Sequence, residues 1–259
     1  MSISKKICTK VENTTGICYT VCIKRHRMMQ NTYRCKMLKK IDILGMKIDN
    51  YTVREAMMQV EIYLGDTSMS VIDTIDVALL DLASKEDTAR RYVENLDLVV
   101  IGEKEILLAA DIHSSQRLSE IENHDFFREF AKRIMRDGHG VFLLTQTAEE
   151  EQQLRAFLED KYERIRIEGS CVMEDKEGDP EAVVNEINSA SADVIFSVLP
   201  SPVREQFLLE NRNKLDVRIW YGLGRNYAPG IRVNRFSRLA EGLIHKRKLK
   251  NRLHKYNKK

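Results

Sequence analysis

Short apolar runs alternate with longer stretches of helical period from residue 41 onward, and this alternation limits the fold more than any other feature of the chain. Leu98-Val99-Val100-Ile101 and Val141-Phe142-Leu143-Leu144 are strand-length runs without a polar face, so each must be covered on both sides. Strands are expected at 41–45, 69–75, 98–101, 141–144, 165–169, 194–199 and 217–221. Helices are expected between them at 53–64, 77–83, 88–95, from 106 to 110, and at 126–136, 148–161, 182–188 and 203–211. Asp49 to Thr52 supplies the first helix cap, Asp125 the cap of 126–136, and Asp179-Pro180-Glu181 opens 182–188 with Pro at the first position. Repeated strand–helix–strand order gives an α/β fold: a Rossmann-like layered parallel sheet with helices on both faces.

Charge divides the 259 residues into three parts. Residues 1–40 carry ten Lys/Arg and one acid, and residues 231–259 carry eleven and one, leaving 21 Lys/Arg against 37 Asp/Glu between them. Basic ends on an acidic body either meet an anionic surface, bilayer or nucleic acid, or only keep the protein soluble. Residues 1–36 read as a disordered basic extension, 37–230 as the α/β domain and 231–259 as a basic appendage. Phe236, Leu239, Ala240, Leu243 and Ile244 recur at helical spacing among Lys246, Arg247, Lys248 and further cations, the pattern of an interfacial amphipathic helix. No apolar run is long enough to span a bilayer, and the patch at 17–23 lacks the flanks of a signal peptide. Four of the five cysteines fall within the first 36 residues without paired metal-ligand spacing, so reduced thiols are expected rather than disulfides or zinc.

In a parallel sheet the ligand crevice lies at the carboxyl ends of the strands. That rule selects Thr74 to Asp76, Gly102 and Glu103, Thr145 and Gln146, Leu199 to Pro202, and Gly222 to Gly224. Gly222 and Gly224 could bring backbone N–H groups near a phosphate, although the third glycine of a dinucleotide site is missing. His113, His124 and His139 have no metal-ligand spacing and read as surface residues.

Taken in order, these landmarks resemble the WecG/TagA/CpsF glycosyltransferases. Ile43-Leu44-Gly45 with Ile48-Asp49-Asn50 is similar to the family's opening. Thr74-Ile75-Asp76 resembles its Thr-x-Asn loop, and Asp97 to Gly102 its Asp-Leu-Val strand ending in Pro-Asp-Gly. Val141 to Leu144 resembles its Val-Phe-Leu-Leu strand, with Thr145-Gln146 in place of Gly-Gly. Pro202, Glu205 and Phe207 resemble Pro-x-Gln-Glu-x-Trp, and Gly222-Leu223-Gly224 the Gly-Val-Gly-Gly turn.

The resemblance implies metal-independent transfer of an N-acetylmannosamine-type hexose from a UDP-sugar to a lipid-diphosphate-linked acceptor, with no cofactor. It places the protein on the cytoplasmic face of the cell membrane, touching anionic lipid through 236–259, with self-association admitted and nucleic acid not expected. Gly102 stands where the family carries an Asp, so Glu103, one residue on, and Asp76 become the candidate acid/base groups. Substrate contacts are expected from Thr74, Gly102, Thr145, Pro202, Arg204, Glu205, Gly222, Gly224, Asn226 and Tyr227. Arg204, which replaces the motif's Gln, reads either as a clamp on phosphate oxygens or as an exposed helix arginine. Glu103 reads either as a site group or as an exposed charge. The departures also admit an inactive homologue that binds a nucleotide sugar or a partner enzyme.

Overall fold

The computed structural model describes residues 10–12, 18–20, 39–176, 179–224 and 228–230. Two compact units are present, Met1–Met37 and Leu38–Lys259. In the first, strands β1 (Lys10–Glu12) and β2 (Cys18–Thr20) pair antiparallel. The remainder of the segment expected to be disordered lies outside the described residues, as do Asn226, Tyr227 and the basic appendage at 231–259.

The second unit opens with a hairpin, β3 (Lys40–Ile43) and β4 (Met46–Asp49). Sequence pattern suggested a single strand ending at Gly45. Instead Leu44 and Gly45 both take positive φ, 54° and 81°, which is the two-residue turn that matches the twist of a tight hairpin. Six further strands form the main sheet: β5 (Ser70–Ile75), β6 (Leu98–Ile101), β7 (Gly140–Thr145), β8 (Arg166–Val172), β9 (Val194–Ser197) and β10 (Ile219–Gly222). Their order is β6-β5-β10-β9-β7-β8, and every pairing is parallel. The fold expected from the alternating pattern is the fold observed. β5, β7, β9 and β10 are buried from end to end, as strands covered on both faces must be. The hairpin lies against β6, where Asp49 Oδ2 accepts the Val99 N–H at 3.0 Å.

Helices α1 (Val53–Leu64), α2 (Val77–Ala83), α3 (Asp87–Glu94) and α4 (Lys104–Ala109) follow the early strands. The sequence reading missed α5 (Ser115–Glu122), whose mostly polar residues bury only Ile121; Ser114 caps it through the Arg117 N–H. The later helices are α6 (Asp125–Asp137), α7 (Ala148–Lys161), α8 (Pro180–Ser189) and α9 (Val203–Asn211). Capping boxes start α1 and α7: Thr52 with Glu55, and Thr147 with Glu150, each exchange side chain for backbone. Asp179 caps α8 through the Ala182 N–H with Pro180 at the first position, as the sequence indicated. Asp125 does not cap α6. It is the helix's first residue, paired with Arg128 at 2.9 Å, while His124 precedes it in the left-handed region.

The two faces of the sheet differ in chemistry. On one, Phe126, Phe127 and Phe130 of α6 pack on Phe196 and Tyr221, with Phe130 5.1 Å from the Tyr221 ring. On the other, Trp220 stacks on Phe207 of α9 at 5.9 Å. Phe130 is fully buried at the centre of the aromatic layer. Truncating it loses transfer energy and leaves a void the neighbouring rings cannot close. Phe130→Ala is therefore expected to lower the stability by about 3–5 kcal/mol in urea denaturation, with the native fold retained.

Candidate functional site

A cleft opens at the carboxyl edge of the sheet, where β5, β6 and β10 end beneath the starts of α1 and α6 and the side of α5. Thr74, Gly102 and Leu223 form its sheet-side wall, and Arg117, Glu120 and His124 supply polar groups from the helical side. At its base the hydroxyls of Thr74 and Tyr221 lie 3.2 Å apart. Burial pushes the Tyr221 phenol well up, so this pair is neutral and can only donate and accept hydrogen bonds.

Asp76 and Glu103, the sequence's candidate acid/base pair, stand just beyond Thr74 and Gly102 and converge on one helix start. Asp76 caps α2 by accepting from the Leu79 N–H at 2.7 Å, and Glu103 Oε2 accepts from the Val77 N–H at 3.3 Å. Glu103 is half-buried and turned inward rather than an exposed charge. Unpaired N–H groups and the positive end of the helix dipole hold both carboxylates next to the strand tips.

The other expected residues are distributed along the same sheet edge. Thr145 ends β7, fully buried, with its hydroxyl donated to the Thr147 carbonyl at 3.1 Å. Pro202 follows a cis peptide bond and precedes α9. Neither lines the cleft. Gly224 takes φ 68°, a left-handed turn suited to glycine. Gly222 has a different reason to lack a side chain: a Cβ there would come within 2.5 Å of the Asp73 carboxylate.

Asp73 exposes a group that the sequence reading passed over. It lies fully buried in β5 beside Gly222 and faces α3 and α9. Arg204 of α9 reaches it with Nε and Nη1 at 3.2 and 3.3 Å and reaches Glu205 with Nη2 at 3.0 Å; the Tyr92 hydroxyl also bonds to Asp73. Arg204 is 5% exposed and its guanidinium lies over the Tyr92 ring. It is not an exposed helix arginine, and its Nη1 and Nη2 groups donate to carboxylates of its own chain. A carboxylate in the middle of a strand expected to be covered on both faces was the available signal, because a buried charge demands a partner. The site's other omission, Arg117 with Glu120 at 2.7 Å, followed from missing α5.

Two carboxylates around one guanidinium leave an excess negative charge in a dry interior. Burial raises Asp73 from 3.8 to about 7, with Arg204 and then Tyr92 pulling the other way. Burial lifts the Cys171 thiol to about 12, so it stays protonated. His139 is not a free surface residue, since it pairs with Asp193 at 3.1 Å. Among the described residues, no three His, Cys, Asp or Glu are grouped as a metal site would require, and no helix is long and apolar enough to cross a membrane.

Because the folded pKa of Asp73 lies above the unfolded one, its contribution to stability is complete below about pH 4 and is lost as pH rises through about 7. Asp73→Asn keeps the neutral form at every pH and leaves Arg204 paired with Glu205. Subtracting the variant's urea midpoints from those of the parent chain should therefore give a difference that falls across that window. A flat difference would contradict the raised pKa.

The model of the Glycosyl transferase WecG/TagA/CpsF family matches residues 41–227, well over half of the chain. No curated protein matches it. The match runs from the opening hairpin to the loop beyond β10, so it takes in the whole sheet and every strand tip around the cleft. The chain belongs to the WecG/TagA/CpsF glycosyltransferase family.

Proposed function

We propose that this protein transfers an N-acetylmannosamine-type hexose from a UDP-sugar to a lipid-diphosphate-linked acceptor, without a metal, in the synthesis of cell-surface polysaccharide or teichoic acid. The reaction takes place at the cytoplasmic face of the membrane. Membership of a glycosyltransferase family gives the reaction class. The observation that carries the assignment to particular residues is the convergence of Asp76 and Glu103 on the start of α2, beside the cleft walled by Thr74 and Gly102.

In this reading the acceptor hydroxyl oxygen attacks the anomeric carbon as its proton passes to one of the two carboxylates. The bond from the anomeric carbon to the UDP oxygen breaks, and UDP departs with the electron pair. Neutral donors meet the growing negative charge: the Thr74 and Tyr221 hydroxyls at the base of the cleft. Arg204 is spent on Asp73 and Glu205, so it acts by seating α9 on β5 rather than by holding phosphate. A second reading, nucleotide-sugar binding without transfer, is favoured by two observations. Gly102 offers no carboxylate where the sequence resemblance leads one to expect it, and both candidate acids already accept backbone N–H groups.

Calorimetric titration with UDP and UDP-N-acetylhexosamines, followed by a transfer assay with a lipid-diphosphate acceptor, separates the two. Transfer should fall roughly 10²–10⁴-fold in whichever of Asp76→Asn and Glu103→Gln removes the base, with KM little changed. Asn still caps a helix, so Asp76→Asn leaves α2 in place. Binding without transfer selects the second reading, and absence of nucleotide binding removes both.

A further inference from the structure

A second depression lies between α1 and α6, on the outer side of the helices that flank the cleft. Met57, Met58 and Met135 line it, and its rim holds Arg54, Lys132, Arg133, Arg136 and Arg164. Among the described residues four large hydrophobic side chains are exposed, and two of them, Met58 at 50% and Ile62 at 45%, stand four residues apart on α1. With Arg54 they form one ridge at i, i+4, i+8, cationic at one end and apolar along the rest.

The charge of this face runs against that of the body around it. Residues 41–230 hold 37 acids against 21 bases, yet five cations line the groove with two acids, Glu61 and Glu129. Arg133 is taken up by Glu61 at 2.6 Å and Asp137 at 2.5 Å, Lys132 by Glu129 at 3.1 Å and Arg136 by Asp137 at 3.0 Å. Arg54 and Arg164 are exposed and have no ion-pair partner among the described residues. Flexible apolar side chains bordered by surplus cations match a surface that is apolar below and anionic above.

Other occupants fit less well. The chain's own appendage at 231–259 holds eleven Lys/Arg and one acid, so it would bring like charge to the rim. A two-fold contact with a second copy would set the cationic rim against itself. We propose that the α1–α6 face docks on an anionic lipid bilayer, with Met58 and Ile62 entering the apolar boundary and Arg54 and Arg164 meeting headgroup phosphates, joined by Arg136, which is 64% exposed and shares Asp137 with Arg133. Val53 lines both this groove and the cleft, so a bilayer held here lies next to the cleft. The inference rests on the glycosyl-transfer reading for its purpose but not for its chemistry.

The test uses the full chain and cosedimentation with vesicles of phosphatidylglycerol and phosphatidylcholine, against vesicles of phosphatidylcholine alone. The parent chain should prefer the anionic vesicles, and Arg54→Glu/Arg136→Glu/Arg164→Glu should weaken that binding by about a hundredfold even with the basic appendage intact. Met58→Asp should remove the part of the binding that survives high salt. Should the triple variant lose its thermal transition, Arg164→Glu alone, on an exposed side chain, carries the test with a loss of several-fold. Unchanged binding by a folded variant, equal binding to both vesicles, or a dimer that Met58→Asp dissociates without altering vesicle binding would each overturn the proposal. UDP titration without lipid reports on the cleft separately, so failure of the transfer reading and failure of this one are told apart.

Discussion

The pairing of Arg204 with Asp73 joins the helical layer to the sheet at the point where the candidate chemistry is placed. A guanidinium and two carboxylates buried together are each expensive to remove from water, and their attraction for one another offsets part of that cost. The arrangement dictates its surroundings. Gly222 must lack a side chain because the Asp73 carboxylate occupies that space, and Tyr92 of α3 must present its hydroxyl. In register, Asp73, Gly222 and Ser197 form one row across β5, β10 and β9, and Asp73 is its single charged member, just below the strand tips. An apolar row would pack as well; a charged one admits a single seating of α9.

Most of the architecture was legible because its signals are local. Four-residue apolar runs flanked by capping residues located β6 and the core of β7, and α1, α2, α7 and α9 emerged with the bounds their periodicity suggested. The failures have a common physical cause, which is that the deciding partner is distant in sequence or absent from the core. α5 buries one side chain, so its apolar stripe is too thin to stand out. The β3–β4 hairpin was read as one strand because its turn depends on a left-handed Leu44 as well as on Gly45.

The place of the cleft at the strand tips was legible, but its wiring was not. Thr74 and Gly102 fall where the strand-tip rule put them, and they share the cleft. That Arg204 turns inward could not be read from α9 alone, because its partner lies 131 residues earlier. Glu103 likewise looked like one of a run of charges, and the approach of α2 gives its carboxylate a bond. Arg117 and Glu120 entered the cleft wall on a helix that sequence pattern had left unassigned.

The hairpin's Asp49, which takes the Val99 N–H, has a consequence beyond local bonding. β6 is a border strand, and a border strand with free amides invites a foreign strand to continue the ladder. A carboxylate stopper closes that rim, while the opposite rim, β8, is guarded by alternating Arg166 and Glu168. With both rims blunted, molecules can crowd to high local density without stitching into a common sheet.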